Sequence, residues 1–343
     1  MSSSVQLCIA IAVAIVARWN HADLMQAGIS QTFGKVGEMN QNKAMVIVNP
    51  TASGNKVGRR WPKLRDALTQ GGLAFEAELT QYRGHATEIA RQALQEGFCY
   101  FISVGGDGTV NEVVNGLVVD GRVNPQVVLS IIPGGTGSDF IRVLGISRDP
   151  TQAVQTALGH STRRVDIGEI RCTLDGKPIT RYFVNVAGLG FDSEVSVRVN
   201  RMSKRVSGTL PYLTSLALTL FVYQNKDVEL TYDGQTMRGR YNSVIVCNGQ
   251  YFGGGMWIGP KAAADDGVFD IVILKDLNKL EFLANVPRVY KGTHLSHPKV
   301  ATFQAKEAHV EARQRMYIQA EGELVGEAPA TVRILPGALN LRV

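Results

Sequence analysis

Three short apolar runs, Ala44–Val48, Tyr100–Val104 and Val127–Ile132, each stop at a turn, and Phe75–Leu79 is a fourth candidate of the same length. Runs of about five such residues are too short for helices and fit buried strands. Helical periodicity fills the intervals. Trp61, Leu64 and Leu68 share one face before Gly71-Gly72. Ile89, Ala90, Ala93 and Leu94 share another, with Gly97 as the stop, and Thr109–Leu117 repeats the pattern. Strands that alternate with helices predict a parallel sheet covered by helices.

Beyond about Val165 the pattern changes. Short β-like runs dominate: Tyr182–Ala187, Val228–Tyr232, Ser243–Cys247, Phe269–Leu274, Met316–Gln319, Thr331–Leu335 and Leu339–Val343. Turns rich in Gly and Asp separate them, which predicts a β-rich, sandwich-like second domain with few helices. The 343 residues suit two domains. The expected division is a tail over 1–43, an α/β domain over 44–163 and a β-rich domain over 164–343. Its final strands are free to return to the first domain. The cleft between the two is the default ligand site.

Composition narrows the class. Hydrophobic residues make up 45% and charged residues 19%, which excludes a disordered or collagen-like chain. The net charge of +6 permits phosphate or an anionic membrane surface and does not call for nucleic acid. Cys8, Cys99, Cys172 and Cys247 form no Cys-x-x-Cys pair, so a reducing compartment fits better than a disulfide or zinc framework. Leu7–Ala17 is apolar but shorter than the about 17–20 residues a membrane span requires, and no basic residues precede it as in a signal peptide. With Met39 just ahead of the first strand, the tail reads as disordered or outside the native chain. Leu210–Val222 carries Pro211 and several polar residues, and reads as a buried helix.

The strongest chemical signal is Gly105-Gly106-Asp107-Gly108-Thr109, followed by Val110-Asn111-Glu112. A Gly-rich turn from a strand into a helix lets the backbone approach a ligand and points free N–H groups at an anion. Asp107 beside phosphates implies a cation or a proton-accepting role. Asn111 and Asn115 are four apart and share a helical face. The dinucleotide fingerprint is incomplete, because Asn111 stands at the third glycine position after Gly106 and Gly108. A second cluster, Pro133-Gly134-Gly135-Thr136-Gly137-Ser138-Asp139, also lies between a strand and a helical stretch. Strand C-terminal ends share one edge of a parallel sheet, so both clusters and the Asn49–Gly54 loop converge there.

Taken in order, these strings resemble the diacylglycerol-kinase catalytic-domain family, specifically the bacterial lipid kinases related to sphingosine kinases. The resemblance rests on Asn49 to Gly54, Thr80, Gly105 to Gly116, Pro133 to Gly145 and Asp166-Ile167-Gly168. It continues through Gly253 to Asp270, His294, His297-Pro298 and Glu321-Gly322-Glu323. It spans almost all of the chain from about Ala44. It implies a Rossmann-like ATP-binding domain and a β-rich lipid-binding domain. By the resemblance, ATP contacts Asn49, Thr51, Gly54, Thr80, Gly105, Gly106, Asp107, Gly108, Thr109, Asn111, Glu112 and Thr136. Asp266 falls where the family holds a Mg²⁺ ion, helped by carbonyls near Ala263 and Val268. Glu321-Gly322-Glu323 stands where the family has Asp-Gly-Glu. That leaves Glu321, Glu323 or Asp107 as the group that deprotonates the acceptor hydroxyl. Ser138, where the family usually has Asn, is a further departure.

The implied reaction is transfer of the ATP γ-phosphoryl group to diacylglycerol, giving phosphatidic acid. The alternatives are a sphingoid base or polyprenol as acceptor, NAD kinase, or a nucleotide or lipid sensor without turnover. The expected setting is cytoplasmic, peripheral at the inner membrane face, with transient membrane contact, no nucleic-acid partner and a homodimer allowed. Two features have ordinary readings from sequence alone. In a strand, Glu321 and Glu323 would point to one face, although the string also reads as a solvated turn. Arg198, Arg201, Lys204 and Arg205 are spaced for one helix face, either solvated or docked on anionic lipid. His294 and His297 read as loop-shaping residues.

Overall fold

The computed structural model describes residues 43–134, 138–202, 216 and 218–343. The expectations for the tail, for Cys8, for Thr136 and for most of the basic run and of Leu210–Val222 lie outside those residues.

Strands β1 (Ala44–Val48), β2 (Phe75–Leu79), β3 (Tyr100–Gly105) and β6 (Val128–Pro133) form a parallel set in the order β6-β3-β1-β2. The register runs Ala44↔Phe75 and Ala44↔Tyr100, then Tyr100↔Val128. Two-residue strands β4 (Val118–Val119) and β5 (Arg122–Val123) form a small hairpin between β3 and β6. Helices α1 (Ala52–Gln70), α2 (His85–Gln95), α3 (Asp107–Leu117), α4 (Asp139–Leu144) and α5 (Pro150–Leu158) complete this half.

Both faces of the parallel set are covered. Val46, Val48, Ile102 and Val104 pack with Trp61, Leu64 and Leu68 of α1. Ile47, Phe101, Leu129 and Ile131 pack with Ile89, Ala93, Val113 and Leu117 of α2 and α3 on the other face. Such two-sided burial explains why the central strands are apolar without alternation. Edge strand β2 is mostly exposed, which accounts for its alternating charged sequence FEAEL.

The second half is antiparallel. It contains β7 (Thr162–Leu174), β8 (Lys177–Phe183), β9 (Val186–Gly190), β10 (Lys226–Tyr232), β11 (Gln235–Cys247), β14 (Phe269–Lys275), β15 (Val300–Ala305), β16 (Glu307–Ala312), β17 (Tyr317–Ala320) and β18 (Glu323–Arg342). A small β12 (Tyr251–Phe252) and β13 (Met256–Trp257) hairpin sits apart. Phe183, Leu189, Val244, Phe269, Ile271, Val310 and Val332 form its core. Helices α6 (Phe191–Met202) and α7 (Lys279–Tyr290) belong to this half, and residues 218–222 are also helical.

Strand β18 joins the two halves. Its Val332 and Ile334 lie in the sandwich core, and its Leu339 and Leu341 lie in the core of the parallel half. It pairs parallel with β6 through Asn340↔Val128 and Leu341↔Leu129, so one hydrogen-bonded sheet runs through the molecule.

Four expectations are corrected. The described end of Leu210–Val222 is helical but not buried throughout: Leu218, Phe221 and Val222 are exposed, while Leu216 and Leu220 pack inward. Tyr182–Ala187 is not one strand, because the chain leaves the sheet between Phe183 and Val186. Thr331–Leu335 and Leu339–Val343 are parts of the single β18, with irregular pairing at Leu335/Leu339 beside Pro336 and Gly337. Glu321 and Glu323 do not share a strand face. Ala320 pairs with Glu323 across a two-residue turn, and Glu321 (φ 54°) and Gly322 (φ 81°) both take the left-handed conformation that a tight hairpin requires.

Candidate active site

A polar pocket forms where β1 and β3 end. The Asn49 side chain ties their loops together: Nδ2 donates to Thr109 Oγ1 at 3.1 Å, and Oδ1 accepts the Thr51 N–H and hydroxyl at 3.1 and 2.8 Å. The Gly134 N–H reaches the Gly105 carbonyl at 2.7 Å, which brings the second Gly-rich cluster alongside the first. The result is a pocket of ≈ 420 Å³ at the start of α3. The positive end of that helix faces an incoming anion.

Of the residues expected at ATP, Asn49, Thr51, Thr80, Gly106, Gly108, Thr109 and Glu112 line this pocket. Gly54, Gly105 and Asn111 stand outside its lining. Gly54 shares a left-handed turn with Ser53 and Asn55 at the start of α1. Gly105 is glycine because a Cβ would come within 2.4 Å of Thr109 Oγ1. Asn111 faces away with Asn115, whose side chain pairs with the backbone of Tyr182 at 3.0 and 2.9 Å. Glu112 lines the pocket, but its carboxylate accepts the Gly84 and Ala86 N–H groups at 2.9 and 3.2 Å and anchors the start of α2. Burial raises its carboxyl pKa.

Tyr82 and Arg83 also line the pocket and escaped sequence reasoning, because no motif marks them. The Tyr82 ring stacks on His85 at 4.6 Å between centroids. Arg83 Nη2 lies 3.1 Å from Glu323 Oε1, and both residues line this pocket.

Asp107 has a different outlook from its neighbours. Gly106 and Gly108 line the polar pocket, while Asp107 lines a second one of ≈ 520 Å³. Its carboxylate accepts the Asp139 N–H at 2.9 Å and the Phe140 N–H at 3.3 Å. Asp139 in turn accepts the Gly254 N–H at 2.7 Å, linking the two halves. Burial raises both carboxyl pKa values, and the backbone donors oppose that.

The second pocket is apolar over most of its wall, with Val186, Phe191, Ile245, Phe252, Met256, Leu274, Phe282 and Val289 among its lining. Its polar end carries Asp107, Asp192 and Glu321. Oε1 of Glu321 accepts the Val184 and Asn185 N–H groups at 3.1 and 2.7 Å. Burial drives the Glu321 pKa up to about 8; the Asn185 bond opposes this and the Asp107 charge adds to it. Glu321 is thus a held carboxyl in an apolar site, not a solvated turn residue. Asp192, another residue without a motif signal, accepts from Gln319 Nε2 at 3.0 Å, and burial raises its pKa.

The Asp265–Asp270 turn offers oxygen donors. Asp265 is held by Arg163 at 2.7 Å, and both oxygens of Asp166 are occupied by the Gly267 and Gly337 N–H groups at 2.8 and 2.6 Å. Asp266 is exposed and accepts the Val268 N–H at 3.2 Å. Among the described residues, no three His, Cys, Asp or Glu side chains converge as a cage. A carboxylate and turn carbonyls are the oxygen donors that a hard, largely hydrated cation such as Mg²⁺ takes, and Asp266 with the carbonyls of Ala263 and Val268 would supply them. His294 is buried and reaches the Ile258 carbonyl at 3.1 Å, while His297 Nδ1 accepts the Lys299 N–H at 3.1 Å; both shape their loop. Cys99, Cys172 and Cys247 are free thiols.

A Gly-rich polar pocket and an apolar pocket that share one turn are the arrangement a phosphotransferase acting on a hydrophobic alcohol requires. A model of the diacylglycerol kinase catalytic domain matches residues 43–170, and one of the YegS C-terminal NAD kinase beta sandwich-like domain matches 185–343. Diacylglycerol kinase of Staphylococcus carnosus (strain TM300) is 32% identical over 84% of this chain and 91% of its own length. That of Bacillus subtilis (strain 168) is 31% identical, with the same coverage. A crystal structure from Bacillus anthracis str. Sterne assigned as a diacylglycerol kinase superposes with a TM-score of 0.70 at 25% identity, covering 88% of this chain and 98% of that one. The chain belongs to the diacylglycerol kinase family. It is a lipid kinase, an ATP-dependent phosphotransferase with an alcohol group as acceptor. Among the described residues no helix is long and apolar enough to cross a membrane.

Proposed function

We propose that the enzyme phosphorylates diacylglycerol to phosphatidic acid, with ATP in the polar pocket and the acyl chains in the apolar one. The observation that carries this reading is the split outlook of the Gly106-Asp107-Gly108 turn, whose glycines line one pocket and whose carboxylate lines the other. A γ-phosphate cradled by the glycines would lie next to a hydroxyl held at the polar end of the apolar pocket. The parallel half then acts as a Rossmann-like nucleotide domain, and the natural division of labour is residues 44–163 for ATP and 164–343 for lipid.

In this mechanism Glu321 is the general base. Its ionised carboxylate takes the proton of the acceptor hydroxyl. The oxygen forms a bond to the γ-phosphorus, the bond from that phosphorus to the β,γ-bridging oxygen breaks, and ADP leaves with the electron pair. Asp107 lies between the pockets, positions α4 through Asp139 and Phe140, and raises the basicity of Glu321 by its charge. Glu323 shapes the nucleotide pocket through Arg83 and plays no part in proton transfer. Thr136 joins the phosphate contacts from the second Gly-rich cluster. Mg²⁺, when bound, would neutralise phosphate charge, and Asp266 would hold a structural ion that stabilises its turn.

The deciding experiment supplies labelled ATP, Mg²⁺ and a total lipid extract to the purified enzyme. Labelled phosphatidic acid is the expected product. Label on a sphingoid base or a polyprenol would replace the acceptor, and label on NAD would overturn the lipid reading.

A further inference from the structure

Nine large apolar side chains are strongly exposed among the described residues, and six of them occupy two short segments: Leu218, Phe221, Val222, Leu280, Leu283 and Tyr290. Helix α7 is apolar on two faces. Phe282, Val286 and Val289 turn inward and line the apolar pocket. Leu280, Leu283, Ala284 and Pro287, spaced i, i+3, i+4, i+7, are exposed, Leu280 at 78%. A stripe with that spacing ordinarily faces a core. Leu218, Phe221 and Val222 repeat it on the neighbouring segment, with Phe221 71% exposed, while Leu216 and Leu220 pack inward near Phe191 and Phe282.

The two stripes adjoin. The Lys279 ammonium donates to the Phe221 carbonyl and lies 5.7 Å from the centre of its ring. Negative charge at this face is spent internally, since Glu281 accepts the Asn278 N–H at 2.8 Å and pairs with Lys299 at 2.7 Å. Lys279 and Lys291 bracket α7 as exposed cations. An exposed apolar surface of this extent with a cationic rim matches an anionic lipid interface.

We propose that these stripes dock the enzyme on an anionic bilayer, with α7 lying at the headgroup level and the apolar pocket behind it receiving the acceptor directly from the lipid phase. The proposal rests on the lipid-kinase reading and adds the face by which the enzyme reaches its substrate. The outer stripe of α7 is distinct from the pocket lining, so it can be altered without touching the site.

The test uses the full chain and its Leu280→Ser/Leu283→Ser variant in co-sedimentation with vesicles of phosphatidylcholine and phosphatidylglycerol. Loss of two exposed leucines is expected to weaken partitioning about tenfold or more. Turnover of diacylglycerol embedded in the same vesicles should fall in parallel, and turnover of short-chain diacylglycerol in detergent should stay at the wild-type level. Leu280→Trp should partition more strongly than wild type. Equal vesicle binding by wild type and the serine variant would overturn the proposal. A serine variant changed only in oligomeric mass would also overturn it and assign the face to a second copy of the chain. If wild type sediments with vesicles, the variant does not, and neither phosphorylates any lipid in either format, the docking face stands and the substrate reading fails.

Discussion

Oε1 of Glu321 accepts the backbone N–H of Asn185 at 2.7 Å. That bond fixes a carboxylate at the polar end of an apolar pocket, in a left-handed backbone position that few glutamates occupy. Sparsely populated backbone conformations of this kind concentrate at functional sites. Glu321→Gln keeps an acceptor oxygen for Asn185 and removes the base. It should lower kcat by about 10²–10⁴-fold and leave the KM for ATP close to wild type. Steady-state kinetics on a variant with wild-type circular dichroism checks this, and an unchanged kcat would remove Glu321 from the mechanism.

The pH profile should carry the same signature. Below about 8 the Glu321 carboxyl is largely protonated and cannot accept a proton, so kcat/KM for the lipid should rise with pH and level off above about 8. Stability should move the other way. The folded-state pKa lies above the ordinary 4.5, so from about pH 4.5 to about 8 the folded protein binds the extra proton and loses stability as pH rises. The Tm of Glu321→Gln relative to wild type should therefore increase across that window, and parallel curves would contradict the burial of the charge.

Asp107→Asn removes a like charge from the vicinity of Glu321 and weakens the hold on the Asp139 N–H. Turnover should fall far more than ATP affinity. The residual rising limb of the pH profile should shift to lower pH, because the neighbouring charge no longer opposes ionisation of Glu321. A limb that stays in place would mean that the two carboxylates are not coupled.

Gly105→Ala would place a Cβ 2.4 Å from Thr109 Oγ1, the atom that receives the Asn49 amide. The displaced Thr109 should raise the Kd for ATP by roughly tenfold, about the value of one disrupted hydrogen bond, and leave lipid binding unaffected. Isothermal titration with ATP measures it directly.

Mg²⁺ at Asp266 can be tested apart from catalysis. Titrating MgCl₂ into nucleotide-free wild type should raise Tm, and Asp266→Ala should lose that response, because ligand bound to the native state alone stabilises it by mass action. Equal Mg²⁺ responses in the two proteins would exclude the site.

Much of the parallel half was legible because its determinants are local. Ala44–Val48 and Tyr100–Val104 are apolar throughout because helices cover both of their faces, and the Gly105–Thr109 turn is forced by the close approach of Thr109. The β-rich half was less legible. Thr162–Leu174 does not alternate because Val165–Ile170 are buried on both faces, and α7 hides its helical stripe by being apolar on two faces. Tyr82 and Arg83 carry no motif, so only the convergence of loops reveals them at the pocket.

By itself the sequence determined the strand–helix alternation, the Gly-rich turn and the set of acidic residues available for chemistry. Periodicity and glycine placement act over a few residues, so a linear reading captures them. Only the tertiary structure decided where each carboxylate lies. A tight turn sends Glu321 into the apolar pocket beside Asp107 and leaves Glu323 with Arg83 outside it. Burial and long-range pairing set those environments, and neither is written in the spacing of Glu-Gly-Glu.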